Sequence, residues 1–214
     1  MIFRKPLIIL LFLISSIFIS SCNVNARYLV FSVTDEYAVL FGSTRPIEGR
    51  LTIPRSYQGL PVIIINDWAF MSELSTPPTE LEQIHMITSL TIPNTIIEIR
   101  SRAFSNNKIE RITLPNSLLI IGNDAFNGNK IREIFIPYGV HTIQERAFFG
   151  NPTDFIVLPG SVQNVGHNFV HRYTNVFTYH HSIDDVQFWA FTGRQVFWYG
   201  EWHYNRRGKP VPNY

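Results

Sequence analysis

Residues 108–129 read KIERITLPNSLLIIGNDAFNGN, and residues 130–151 read KIREIFIPYGVHTIQERAFFGN. Each segment has a proline at its eighth position and an Ala-Phe pair ten residues after that proline. The phrase recurs along the chain, and its prolines are spaced by 22 residues: Pro93, Pro115, Pro137 and Pro159. A fixed period of this length with apolar columns indicates a solenoid, in which each unit buries its apolar face against its neighbours.

The apolar columns of the repeat predict how each unit folds. They coincide at Ile109/Ile131, Ile112/Ile134, Leu114/Ile136, Leu118/Val140, Ile121/Ile143 and Phe126/Phe148. The apolar-x-apolar pair before each proline has the period of a strand, and proline ends it because proline cannot donate to a ladder. A further column, Asn107, Asn129 and Asn151, predicts turns in which the amide bonds nearby backbone groups. We expect a β-rich leucine-rich-repeat solenoid with a parallel β-sheet on its concave face.

The ends of the array are less regular than its middle, as is typical of terminal repeats. We count five units, of which three are regular. The first runs from Leu51 to Phe70 with extra residues, and the last is interpreted as one residue short, with Asn168-Phe169 in place of Ala-Phe. The alternating segment from Tyr28 to Phe41 predicts an N-terminal β-hairpin. The predicted divisions are a signal peptide (1–21), an N-terminal hairpin or cap (22–50), the repeats (51–172) and an aromatic C-terminal cap or tail (173–214).

The start of the chain predicts export and a lipid anchor. Arg4 and Lys5 precede a short apolar run that ends in Ile19-Ser20-Ser21-Cys22, which is similar to a bacterial lipobox. By that similarity, Cys22 becomes the lipidated first residue of the mature protein. An uncleaved anchor or an ordinary signal with a coincidental cysteine is the alternative.

Composition narrows the range of partners. Cys22 is the only cysteine, so an intramolecular disulfide is excluded. Removal of residues 1–21 leaves 16 basic and 16 acidic side chains, and this neutral balance argues against nucleic acid as a partner.

The repeat resembles that of the BspA-like, or Treponema-type, leucine-rich-repeat surface proteins over about residues 28–172. The phrase IPxxxxxIxxxAF carries the resemblance, together with the opening segment LTIPRSYQGLPVIIINDWAF (residues 51–70). The resemblance implies a secreted or lipid-anchored bacterial surface protein. Together with the lipobox-like segment, it leads us to expect a lipid-anchored protein of the bacterial cell envelope, at the outer membrane or cell surface. It also implies a non-catalytic role in adhesion, with a protein partner on a host or neighbouring cell.

Side chains that flank each buried pair should point outward on the concave face. They are Arg50, Thr52, Ser89, Thr91, Arg111, Thr113, Glu133, Phe135, Phe155 and Val157. Toward the C-terminus, threonine gives way to apolar residues, and clustered apolar side chains on a surface often mark an interaction site. Alternatively, the C-terminal segment folds back over Phe135 and Phe155 as a cap.

The segment from 174 to 214 is rich in aromatic residues, with 11 among its 41. A solenoid needs a cap to shield its last core layer, so capping is one interpretation. The alternative is carbohydrate or cell-wall binding through Trp189, Trp198, Tyr199 and Trp202.

Catalytic and metal motifs are weak. His167 and His171 would share a helix face, with His180-His181, Asp184 and Asp185 nearby, but a zinc site needs three or four converging ligands. Solvated turn residues are therefore the preferred interpretation, with a metalloenzyme as a third, less favoured hypothesis. The sequence lacks GxSxG, P-loop and GxGxxG motifs. We expect no enzyme activity, no cofactor and no metal.

Overall fold

The structure is a computed structural model that describes residues 26–72, 84–181 and 195–213. A single 3-10 turn, Ala26–Tyr28, precedes the strands. The strands are β1 (Leu29–Val33), β2 (Ala38–Ser43), β3 (Glu48–Thr52), β4 (Ser56–Tyr57), β5 (Leu60–Ile65), β6 (Met86–Thr91), β7 (Glu98–Ile99), β8 (Ile120–Ile121), β9 (Glu133–Phe135), β10 (Thr142–Ile143), β11 (Phe155–Leu158), β12 (Asn164–Val165), β13 (Asn175–Thr178), β14 (Val196–Phe197), β15 (Trp202–Tyr204) and β16 (Pro210–Pro212). The predicted signal peptide and Cys22 lie outside the described residues.

The sequence pattern did not predict the longest sheet of the structure. Its order is β1-β2-β5-β7-β8-β10-β12, and it opens with the predicted N-terminal hairpin of β1 and β2. From β5 onward the strands are parallel and in register, and they align Ile65, Ile99, Ile121, Ile143 and Val165. These β-branched side chains suit a short strand with one face buried. Each coil therefore has two extended segments, of which the sequence pattern indicated one.

The concave sheet holds the predicted strand before each proline. Strands β9, β11, β13 and β14 form one parallel stretch, and β3 and β6 form another. Between the two stretches, pairing passes through the isolated bridge of Ser89 with Arg111, so the expected strand over 109–114 is reduced to one bridge. The parallel ladder also continues beyond residue 172, because β13 and β14 extend it.

A column of phenylalanine rings fills the core between the two sheets. Phe70, Phe104, Phe126 and Phe148 are fully buried and stack with centroid separations of 5.5, 5.4 and 5.4 Å. Offset stacking of this kind adds about 0.5–1.5 kcal/mol per pair beyond the burial of the rings. The repeat is thus held by one continuous core, as the Ala-Phe column predicted.

The asparagine column bonds each unit to the next. The side-chain amide of Asn129 donates to the carbonyl of Phe126 in its own unit (3.0 Å) and to that of Phe104 in the preceding unit (2.9 Å). Its carbonyl oxygen accepts the backbone N–H of Ile109 at 3.1 Å. Asn107 and Asn151 repeat this pattern and are also buried. Each amide satisfies buried backbone groups that would otherwise be unpaired.

A histidine takes the place of asparagine at the front of this column. His85 lies 22 residues before Asn107, and its Nδ1 accepts the backbone N–H of Ile47 at 3.0 Å. Its ring is 4 % exposed and packs edge-on against Phe70 at 5.6 Å. Burial lowers the pKa of His85 from 6.5 to about 4. The imidazole is therefore neutral at pH 7, as an accepting Nδ1 requires.

The residue before each Ala-Phe pair has a left-handed backbone. Arg102, Asp124 and Arg146 have φ of 55°, 52° and 55°, and Asn168 continues this column with φ of 50°. The backbone N–H of Phe148 bonds to the carbonyl of Phe169, as that of Phe126 bonds to Ala147. The last unit has therefore lost no residue, contrary to expectation: Phe169 stands in the alanine column and Val170 in the phenylalanine column.

Candidate binding face

The front half of the concave face is polar and open. Strand pairing places Arg50 beside Ser89, and Ser89 beside Arg111, while Thr52 lies beside Thr91. Arg50, Thr91, Arg111 and Thr113 are exposed, and Thr52 and Ser89 are half-buried. We call these six residues the open face. The expected outward direction of their side chains is consistent with this exposure.

Glu133 and Phe135 end the open face. The ring of Phe135 is 45 % exposed and meets the ring of Phe155 edge-on at 5.5 Å. Glu133 is half-buried and forms an ion pair with Lys209, which belongs to the C-terminal segment. The C-terminal segment therefore reaches the concave face at this strand.

Phe155 and Val157 are not on an open surface, which corrects the expectation that they are displayed. They point away from the solenoid core but are 7 % and 4 % exposed, because they pack with Phe177 and Trp202. Phe197 stacks on Phe177 at 4.7 Å. We call these five residues the aromatic cluster. It is a second core on the outer side of the concave sheet.

The hairpin of β15 and β16 covers this cluster. Trp202 donates its indole N–H to the carbonyl of Thr178 at 3.1 Å, and its ring packs on Phe177 at 5.6 Å and on Tyr179 at 5.0 Å. Buried indole N–H groups usually have such a partner. The hairpin thus covers the back half of the concave face. This arrangement agrees with the interpretation that the C-terminal segment folds over Phe155 as a cap. Phe135 remains partly exposed outside that cap.

The residues proposed for carbohydrate binding are placed differently from one another. Trp202 is buried in the aromatic cluster. Trp198 is half-buried, whereas Tyr199 is 55 % exposed and packs against His181 at 5.0 Å. Trp189 lies outside the described residues. Among the four, Tyr199 has the largest described exposure.

A pocket opens between the open face and the hairpin. It has a volume of about 520 Å³ and is lined by Phe135, Ile136, Tyr138, Val157, Pro159, Gly160, Tyr179 and Tyr204. Tyr138 is 79 % exposed at its rim. Burial, and then a hydrogen bond with Tyr179, raises the pKa of the Tyr204 hydroxyl above its usual range. Sequence reasoning missed the three tyrosines, because only the fold brings positions 138, 179 and 204 together.

Of the histidines singled out from the sequence, His167 lies in a turn, and His180 is buried with its Nδ1 2.7 Å from the Thr178 hydroxyl. Residues 167–171 contain no helix, so His167 and His171 do not share a helix face. The ring of His171 packs against Phe149 and Tyr173. Within the described part of the chain, no three His, Cys, Asp or Glu side chains gather as a metal site would require. Asp184 and Asp185 lie outside that part.

The described residues also contain no helix with the length and apolar character needed to span a membrane.

Solved structures similar to this chain include two bacterial proteins. The pneumococcal vaccine antigen PcpA is 17 % identical, with a TM-score of 0.50, over 89 % of this chain and 53 % of that one. A leucine rich cell surface protein from Faecalibacterium prausnitzii is 16 % identical, with a TM-score of 0.40, over 93 % of this chain and 62 % of that one. The chain therefore spans little more than half of each. At these identities the PcpA likeness shows the fold alone. No curated protein matches the chain significantly.

The family assignment rests on the repeats. The model of the BspA type leucine rich repeat region matches residues 79–195 in six copies, which is more than half of the 214 residues. The match extends past residue 172, as the parallel ladder does. The chain belongs to the BspA-type leucine-rich-repeat family.

Proposed function

We propose that this protein is a non-catalytic cell-surface module that binds a protein partner through the open face and Phe135. BspA-type repeat proteins are surface proteins, a group not known as enzymes. The observation that carries the proposal is the contrast on the concave face, where the front half is polar and open and the back half is covered. A host or neighbouring cell would supply the partner, and the role would be adhesion.

The side chains of this surface suit protein recognition. Arg111 and Phe135 are both exposed, on neighbouring units of the repeat. Arginine and aromatic residues supply a large share of binding energy in protein interfaces. The threonines Thr91 and Thr113 beside them offer hydroxyl groups on a rigid sheet. A partner would therefore meet a preorganised surface, which lowers the entropic cost of association.

Substitution on this face provides the main test. Purified chain would first be used to capture candidate host and bacterial surface proteins, and the dissociation constant of a captured protein would then be measured. We expect Arg111→Ala and Phe135→Ala each to weaken binding about tenfold, with unchanged circular dichroism. Lys108→Ala is the matched control, because Lys108 is exposed and lies three residues before Arg111, outside the open face. Equal binding by all three variants would contradict the use of this face.

Attachment to the membrane through Cys22 is the second part of the proposal. The lipobox-like segment supports it, and two or three acyl chains would hold the protein stably, since each buried methylene contributes about 0.8 kcal/mol. Labelled palmitate should be incorporated by the chain and not by Cys22→Ala. Incorporation by both would refute the anchor and leave the binding face untouched.

A further inference from the structure

The pocket beside the C-terminal hairpin has features of a specific ligand site. It lies between Phe135 and Tyr204 of the hairpin, and its volume of about 520 Å³ is within the range of ligand pockets, about 300–1,000 Å³. From its lining we infer that it binds an uncharged, extended peptide segment containing proline, presented by the protein partner. The inference rests on the proposed protein-binding function and names the chemistry that the site recognises.

The lining is aromatic and rigidly held. Phe135 is on strand β9, and Tyr204 is on the hairpin, which the ion pair of Glu133 with Lys209 joins to the same strand. Tyr179 directly follows β13, and its ring packs on Trp202 at 5.0 Å. Aromatic walls of this kind favour the flat, preformed surface of a polyproline II segment, which loses little conformational entropy on binding.

The charge of the site favours a neutral ligand. None of the residues that line the pocket carries a charged side chain. Glu133, on the same strand as Phe135, forms an ion pair with Lys209, so these two charges neutralise each other. The Tyr204 hydroxyl is neutral at pH 7, as an ordinary tyrosine is, and burial raises its pKa further. A charged ligand group would lose hydration here without gaining a counter-charge.

The hydrogen-bonding groups of the site fit proline better than sugar. The side-chain polar groups of the lining are the hydroxyls of Tyr138, Tyr179 and Tyr204. Tyr204 is hydrogen-bonded to Tyr179, so the hydroxyls of Tyr138 and Tyr179 are the ones that can donate to the free carbonyls of a polyproline II segment. Proline has no N–H, so it needs no acceptor from an apolar wall. A saccharide presents several hydroxyls, and the lining offers it no carboxylate or amide side chain.

The hairpin itself pairs aromatic residues with proline. In the antiparallel pairing of β15 and β16, Tyr204 is opposite Pro210, and Trp202 is opposite Pro212. Directly opposed residues lie on the same face of a hairpin, with Cβ atoms about 5 Å apart. Among the lining residues of the pocket, Pro159 is a proline beside aromatic side chains. The site therefore already joins aromatic and proline side chains within one chain.

The test is a fluorescence-polarisation titration of the purified full chain with a fluorescein-labelled decamer of proline. Saturable binding with a dissociation constant below about 1 mM is expected. Tyr138→Ala should weaken decamer binding at least tenfold, because it removes an aromatic ring that lines the pocket. The ring is exposed, so its loss leaves the core intact. Tyr204→Phe, which removes only the hydroxyl, should weaken it less. Tyr173→Ala is the matched control, since that tyrosine is 73 % exposed and does not line the pocket.

Three results would overturn the inference: no saturable binding, binding that Tyr138→Ala leaves unchanged, or equal binding of a neutral Gly-Ser decamer. Binding of the same pocket to members of a glycan array, without binding to the proline decamer, would assign it to carbohydrate instead. Capture of a protein partner that depends on Arg111 while the decamer fails to bind would sink this inference and leave the proposed function standing. Decamer binding without capture of any protein partner would support the peptide site and contradict the proposed function.

Discussion

The two halves of the concave face have the same backbone architecture and opposite surfaces. In the front half, Thr91 and Arg111 lie on neighbouring units of the repeat, and both side chains are exposed. In the back half, Phe155 and Val157 occupy the equivalent outward positions and are almost fully buried. The inward residues hardly differ, because both halves bury isoleucine, leucine or valine between the sheets. The repeat therefore sets the shape, and the outward residues decide whether a surface is displayed or covered.

The largest expected effect comes from removing the cover. Trp202→Ala would delete the ring that packs on Phe177 and Tyr179 and would leave the carbonyl of Thr178 without its indole donor. We expect the free energy of unfolding to fall by about 3–5 kcal/mol, the usual cost of deleting a large buried aromatic side chain. Urea denaturation of the purified chain measures this loss.

Trp68→Ala is the matched control for the front half. Its side chain is 57 % exposed, so the free energy of unfolding should change by less than about 0.5 kcal/mol. If the two tryptophan variants lost equal stability, the contrast between a covered and an open half would be wrong. Trp202→Ala should also expose the aromatic cluster to solvent. Increased binding of a hydrophobic dye would detect this exposure.

The front half should be the acid-sensitive one. His85 has a pKa of about 4 in the folded chain and 6.5 when unfolded, so the unfolded state takes up the proton first as the pH falls. The contribution of His85 is present above pH 6.5, decreases as the pH falls to about 4, and changes no further below that. The expected loss is on the order of 3 kcal/mol. Denaturation at a series of pH values measures it.

His85→Asn separates this effect from the titration of other groups. Asparagine is the residue of the same column in the next three units, and its carbonyl oxygen can accept the N–H of Ile47 at any pH. The variant should be less dependent on pH between 6.5 and 4 than the parent chain. Superimposable pH profiles would show that His85 does not govern acid stability.

The smallest effect concerns the ion pair that joins the C-terminal segment to strand β9. The side chains of Lys209 and Glu133 are 49 % and 38 % exposed. Lys209→Ala should therefore lower the free energy of unfolding by less than about 1 kcal/mol, and less in high salt. Lys108→Ala serves as the control. A loss as large as that of Trp202→Ala would mean that charge, rather than aromatic packing, holds the cover.

The inward half of the fold could be predicted from the sequence. The spacing of Ala-Phe pairs predicts the ring stack of Phe104, Phe126 and Phe148, and the asparagine column predicts side chains that bond the backbone. Both follow from strict local periodicity. Each coil repeats the same packing problem, so a residue such as Phe126 has the same neighbours in every unit.

The remaining features depend on contacts between distant positions. Burial of Phe155 requires Trp202, 47 residues later, and no local pattern links the two. The frame at Asn168 was misjudged because Phe169 resembles the phenylalanine of the repeat, although backbone hydrogen bonds place it in the alanine column. The role of His85 could not be predicted from the asparagine column, because here a histidine accepts the backbone N–H that asparagine accepts in the next units.

The ring column also bears on how such a chain can lengthen. Phe70 and Phe104 are 34 residues apart in sequence, whereas later rings are 22 apart, yet their centroid separation of 5.5 Å matches the 5.4 Å of the next pairs. The 12 extra residues between Phe70 and Phe104 therefore leave the ring spacing unchanged. We expect this part of the chain to accept further residues, such as a reporter sequence, without a change in that spacing.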